Sequence, residues 1–233
     1  MDTAMQPPGV PRTEPGTAPG TAPGTAAGAA RRDSTAAILA AAERVFSRAG
    51  FHGARMAEIA AEAGLPKANL HYYFGTKERL YRAVLEDIIR QWLAAAAAWF
   101  VPAHDPAEAL SGYVRAKLAD ARRRPGASRI FAGELLRGAP LLMPFLADEL
   151  RRRVAEMGAV IEGWAARGLL DPIAPAHLFF CIWAMTQTYA DFDVQVRAVL
   201  GPDADDTAVF TAAEATVRRL VLRGCGVRDS VRV

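Results

Sequence analysis

From Ser34 onward, apolar residues recur at spacings of three and four, and no stretch sustains the one-in-two alternation of a half-buried strand. A chain with that period can bury its apolar side chains only as packed helices, so the expected fold is all-α. Ser34 stands where a hydroxyl can cap a helix that buries Ile38, Ala42, Val45 and Phe46, and Gly50 is placed to stop it. Two short helices follow, at about 56–63 and 66–73, the first ended by Gly64 and the second opened by Pro66, whose missing N–H costs nothing in a first turn. Gly75 breaks the second, and Thr76 can cap a longer helix running toward Phe100. Further helices are expected at about 106–124, 128–136, 141–168, 175–200 and 206–224, separated by Pro- and Gly-containing punctuation, for nine helices in all.

Residues 1–30 are of another kind, built from Pro, Gly, Thr and Ala with the near-repeat Gly16-Thr17-Ala18-Pro19, Gly20-Thr21-Ala22-Pro23. Prolines every fourth residue and sparse apolar surface predict a disordered tail. The 233 residues, 52% hydrophobic and 23% charged, match an ordinary globular chain, so the rest should fold as one small domain and one larger one, at 31–82 and 83–233. Cys181 and Cys225 are too few for a disulfide framework or a four-cysteine zinc site. The longest uncharged apolar runs, Trp92 to Val101 and Leu178 to Met185, fall far short of the ~18 residues of a membrane span. A cytoplasmic setting away from the membrane is the expectation.

The formal charge is only +3, but its distribution is uneven. Residues 31–82 carry nine basic and five acidic side chains, whereas the 151 residues after them are balanced at eighteen each. The positive excess therefore coincides with the segment in which two short helices meet at a tight glycine turn, a helix-turn-helix arrangement. Ile59, Ala60 and Ala63 would face Leu65 and Leu70 and fix the crossing angle. The second helix would turn Lys67, Ala68, Asn69, His71 and Tyr72 outward. Lysine and tyrosine can bond phosphate oxygens, and asparagine and histidine can reach base edges in a major groove. For Tyr72, Tyr73 and Phe74 ordinary packing competes with a DNA role; packing suits Phe74 and DNA suits Tyr72.

The run Gly50-Phe51, Met56-Ala57-Glu58-Ile59-Ala60-Ala61-Glu62-Ala63-Gly64-Leu65 and Lys67-Ala68-Asn69-Leu70-His71-Tyr72-Tyr73-Phe74-Gly75-Thr76-Lys77-Glu78-Arg79-Leu80 resembles the DNA-binding domain of the TetR family of bacterial repressors. The resemblance implies that Lys67, Asn69, His71 and Tyr72 lie on the recognition helix and that Lys77 meets a phosphate at the next helix start. Two positions depart from the family pattern. Arg55 stands where a capping Thr is common, putting a guanidinium within reach of phosphate, and Pro66 replaces a common Ser. The resemblance also implies a homodimer through the last two helices, and on the last of them Val209, Phe210, Ala213, Val217 and Leu220 form an apolar stripe; packing within one chain is the alternative.

Two further segments, Glu134 to Met143 and Ile182 to Phe192, are similar to a narrower branch of that family, the uracil-responsive repressors of pyrimidine-utilisation genes. Phe179, Trp183 and Gln187 share one face of a helix at i, i+4, i+8. A Gln amide in an apolar cavity needs partners, a pyrimidine imide edge supplies a matching N–H and C=O, and a flat ring can stack on Trp183 or Trp92. Gln187 could instead bond a backbone carbonyl with Trp183 as core. Tyr189 is a weaker ligand candidate, and Asp191 either joins it or pairs near the helix end. The branch implies a small uracil-like effector; a larger hydrophobic effector on the same fold is the alternative. The four histidines lack metal-ligand spacing, and no P-loop or nucleophile-elbow pattern occurs, so neither an enzyme, a cofactor nor a metal site is expected.

Overall fold

The structure, a computed structural model, describes residues 23–227. The expected tail lies outside them as far as residue 22. Among the described residues every regular element is helical.

The first helix, α1, runs Pro23–Gly53 and so begins before the expected tail would end at residue 30. The four-residue proline repeat stops at Pro23, and the alanine-rich stretch after it holds no ring to clash with a preceding turn. Ile38, Ala42, Val45 and Phe46 are buried, as their spacing requires. Gly50 has φ 65° and breaks the helical path one turn before the end. α2 spans Met56–Glu62 and α3 Lys67–Phe74. Between them Gly64 adopts φ 65°, a left-handed conformation that costs glycine little, and the Leu65 N–H donates back to Ala60 O at 3.0 Å. Pro66 caps α3 from outside, at ψ 141°, instead of forming its first residue.

Thr76 caps α4, Lys77–Ala97, by accepting from the Arg79 N–H at 3.2 Å. This helix passes from the small domain into the larger one and buries Leu80, Tyr81, Val84, Leu85, Ile88 and Ile89 along the way. Asp105 caps α5, Pro106–Arg123, with its carboxylate on the N–H groups of Ala107 and Glu108. α6, Pro125–Leu136, starts at Pro125, three residues earlier than expected, because a proline is well suited to the first helical position. The backbone of α6 lies close on α1: a Cβ at Gly126 would stand 2.9 Å from Ser47 Cβ. Beside that contact Arg124 forms a bidentate pair with Glu43 of α1 and also donates to Gln91 of α4.

Two expected long helices are interrupted. The one at 141–168 begins as α7, Met143–Phe145, widens into a π-helical stretch over Leu146–Leu150 and resumes as α8, Arg151–Ala166. The one at 175–200 breaks at Phe192 (φ −121°, ψ 37°) into α9, Pro175–Asp191, and α10, Asp193–Leu200. Asp191, Phe192 and Asp193 are three modest helix formers in succession, and Asp193 is drawn to Arg129 of α6 at 3.4 Å. The last helix, α11, covers Asp206–Gly224.

α5 is flanked by α9 and α11, so much of the stripe expected to face a second chain is consumed within this one. Ala213 and Val217 are buried, and Phe210 packs against Tyr189 at 5.8 Å. Leu220 alone of that stripe stays largely outside, 54% exposed. No helix of the described residues is long and apolar enough to cross a membrane.

Candidate nucleic-acid interface and effector cavity

The small domain is held from the inside by Ile59, Ala60 and Leu70 and from the outside by charge. Glu62 of α2 accepts from Arg44 at 2.7 Å and from Arg48 at 3.2 Å, both on α1, and these two guanidiniums hold its carboxyl below the usual range. With α2 fixed, α3 turns Lys67, Ala68, His71 and Tyr72 to solvent and keeps Asn69 half-buried. Tyr72 is 76% exposed, its ring meeting that of Tyr73 edge-on at 5.2 Å, whereas Tyr73 and Phe74 are partly buried against the core. His71 Nδ1 lies 3.0 Å from Gly75 O, a carbonyl that only accepts, so Nδ1 carries a proton and donates it there. Arg55 is exposed and makes no side-chain cap to α2, leaving its guanidinium available to an anion.

Lys77 is arranged differently from the expectation. Its ammonium donates to His52 O at 3.3 Å and Ala54 O at 3.1 Å and lies 4.8 Å from the Phe51 ring centroid. It closes the carbonyl end of α1, where a cation is favoured, and is turned inward and not toward a phosphate.

In the larger domain, α4, α5, α6, α8 and α9 enclose a cavity of about 40 Å³ lined by Trp92, Trp183 and Gln187. These are three of the five residues singled out from sequence. The other two lie elsewhere. Phe179 is fully buried behind the cavity among Phe100, Tyr113 and Trp183, and Tyr189 faces α10 and α11 in a separate cleft with Asp193, Arg197 and Phe210. Tyr113, Lys117 and Phe131 line the cavity and were not anticipated. The i, i+4 spacing of Tyr113 and Lys117 on α5 was the available signal, the same one that drew attention to Trp183 and Gln187.

The Trp183 Nε1–H donates to Tyr113 Oη at 2.6 Å, which fixes the indole plane; burial pushes the Tyr113 hydroxyl above its ordinary range, so it remains protonated. Trp92 stands edge-on to Phe131 at 5.3 Å. The cavity thus has two oriented indoles, one phenol, one amide and one ammonium in an otherwise apolar wall. Such a wall offers ring faces for stacking and a few groups for hydrogen bonds. Leu150, the last residue of the π-helical stretch, and Met157 complete the wall with adaptable side chains.

The Glu134 to Met143 segment has a structural part. Glu134 is buried, and its carboxylate accepts from the Leu141 N–H at 2.9 Å and from Arg137 at 3.1 Å. Arg137 in turn donates to Tyr81 Oη of α4 at 3.0 Å. The turn between requires φ 85° at Gly138 and φ 54° at Ala139. Among the described residues no group of three His, Cys, Asp or Glu side chains could hold a metal ion.

Residues 38–84 match the family model of bacterial regulatory proteins, tetR family, and residues 85–228 match that of the YcdC-like protein C-terminal region. The chain belongs to the TetR family of transcriptional regulators. Among its TetR-family relatives, the HTH-type transcriptional regulator RutR of Escherichia coli strain K12 is 47% identical over 188 residues, which are 81% of this chain and 88% of that protein. The HTH-type transcriptional repressor NicS of Pseudomonas putida is 30% identical over 192 residues, 80% of this chain and 90% of that protein. A crystal structure of the putative transcriptional regulator SCO4942 from Streptomyces coelicolor superposes with a TM-score of 0.62 at 27% identity, covering 82% of this chain and 98% of that one. A tetR-family regulatory protein from Rhodococcus RHA1 shares the fold at a TM-score of 0.66 and 23% identity.

Proposed function

We propose that this regulator is a cytoplasmic homodimer that binds a pseudo-palindromic operator and is released from it by a uracil-like pyrimidine. Two recognition helices, one α3 from each protomer, enter successive major grooves. Asn69, His71 and Ala68 read base edges, while Lys67, Tyr72 and Arg55 bond phosphates. The apolar side chains left outside on α9 and α11, Phe180 and Leu220, each 54% exposed, belong to the dimer interface in place of the stripe read from sequence. Repression follows from occupancy alone, because a protein on the operator excludes polymerase.

The observation that carries the effector reading is the convergence of Trp92, Trp183 and Gln187 on one cavity beside α4, the helix that continues into the DNA-binding domain. The cavity is far below the ~300 Å³ of a fully formed small-molecule pocket, so a ligand enters only as Met157 and Leu150 yield. That narrowness favours a single small ring over a bulky hydrophobic effector. Ligand then shifts the balance between two arrangements of α4 by its difference in affinity for them. Calorimetric titration with uracil, with thymine and a purine as controls, tests this. Saturable binding of uracil at one site per chain or per dimer supports it, and absence of both heat and thermal stabilisation at millimolar uracil refutes the pyrimidine reading.

A further inference from the structure

Among the described residues Lys117 is the one charged side chain in the wall of the cavity, and apart from the face of Trp92 none of them supplies it a direct partner. It is 6% exposed, and its Nζ lies 4.2 Å from the centroid of the Trp92 ring. Among the described residues it makes neither an ion pair nor a hydrogen bond. The groups that face it have been engaged elsewhere or stand off. On α5, Asp120 pairs with Arg123 at 2.5 Å; on α9, Asp191 is half-buried and acts on Lys117 only through its field. From α4 and α6 it meets the rings of Trp92 and Phe131, which carry no charge. Burial pushes the ammonium down to about 8. A desolvated ammonium with three donors and only an indole face to answer them is costly unless something else accepts.

We propose that Lys117 anchors the effector by donating to a ring carbonyl oxygen, which restricts the ligand to oxo-substituted heterocycles. This rests on the pyrimidine reading of the cavity and deepens it. Gln187 can turn its amide to meet either a donor or an acceptor, so it cannot by itself distinguish an oxo group from an amino group. An ammonium only donates, and therefore favours rings whose edge there is C=O. Filling the cavity with such an acceptor also favours the charged form of Lys117. Complex formation at a pH just above 8 should then draw a proton from solvent.

The test is calorimetry of uracil binding in buffers of different ionisation enthalpy at that pH, on the full-length protein and on Lys117→Met, with thermal unfolding as the control for folding. The wild type should take up a fraction of a proton per ring bound. The variant keeps the unbranched stem, one atom shorter, and should lose about 10- to 100-fold in uracil affinity, the loss of one charge-assisted bond, together with the proton uptake. Uracil binding to the wild type with no proton uptake, or equal affinity in the variant, overturns the anchor while leaving the pyrimidine reading in place. Failure of uracil to bind the wild type overturns both. Should Lys117→Met not fold, the buffer dependence of the wild type decides alone.

Discussion

Replacing Glu134 by Ala probes why the α6–α7 turn has its shape. Glu134 is 1% exposed, and its two carboxylate oxygens do different work: Oε1 accepts from the Leu141 N–H at 2.9 Å, and Oε2 accepts from Arg137 at 3.1 Å. A hydrogen bond to an ionised acceptor contributes about 1.5–3 kcal/mol, and truncation also leaves a partly buried N–H without its acceptor. The Arg137 side chain is 44% exposed, so water screens that pair to within the ~0–1 kcal/mol of a surface ion pair. The expected cost of Glu134→Ala is therefore about 2–4 kcal/mol, most of it from the bond to Leu141. Urea denaturation at fixed protomer concentration measures it, and a double-mutant cycle with Arg137→Ala isolates the pair, whose coupling should stay below about 1 kcal/mol. A total loss under 1 kcal/mol, or a coupling as large as the total, would refute the assignment of the bond to Leu141 as the dominant part.

Lys67→Ala should weaken operator binding across sequences and reduce the salt slope by roughly one counterion, whereas Asn69→Ala should relax sequence preference; duplex titrations at several salt concentrations separate the two. Lys77→Ala should lower the unfolding midpoint of the small domain and leave that slope nearly unchanged, since its ammonium is spent on the carbonyls of His52 and Ala54. Gln187→Leu should abolish the effector response with operator affinity intact, and a normal response in a gel-shift titration would move the site. Lys117 has a folded value near 8 against an ordinary 10.5, so the unfolded chain holds more protons between those values and stability should rise with pH across that window, by up to about 3 kcal/mol. Denaturant midpoints from pH 7 to 10 check it; a flat profile, or the same rise in Lys117→Met, would exclude Lys117 as the cause.

The helical order and the small domain were legible because their signals are local. Gly64 and Gly75 sit at positive φ where the punctuation put them, and Ile59 and Leu70 are buried where the period requires. What sequence could not provide was the partner of each face. Lys77 reads as a phosphate ligand at a helix start until α1 is placed beside it with two carbonyls within reach. Val217 reads as a dimer contact until it is found buried within its own chain. Phe179 and Trp183 are four residues apart on one face, yet the slight rotation between them puts one ring behind the cavity and the other in its wall. Lys117 was unremarkable among 28 basic residues, because burial of a cation is a tertiary event with no local sequence mark.

The glycine at 126 bears on how a signal could cross between the two parts. Where α6 rests on α1, the nearest atoms to a hypothetical Cβ are Ser47 Cβ and Oγ, at 2.9 and 3.0 Å, so the contact sets glycine main chain against one short side chain whose hydroxyl donates to Arg44 O. An interface cushioned by long side chains absorbs a small displacement by changing rotamers. A serine beside a glycine offers little such slack, and a tilt of α6 at this point must either tip α1 with it or open a gap against Ser47. The joint therefore behaves as a fulcrum, and any residue bulkier than glycine there would act as a wedge.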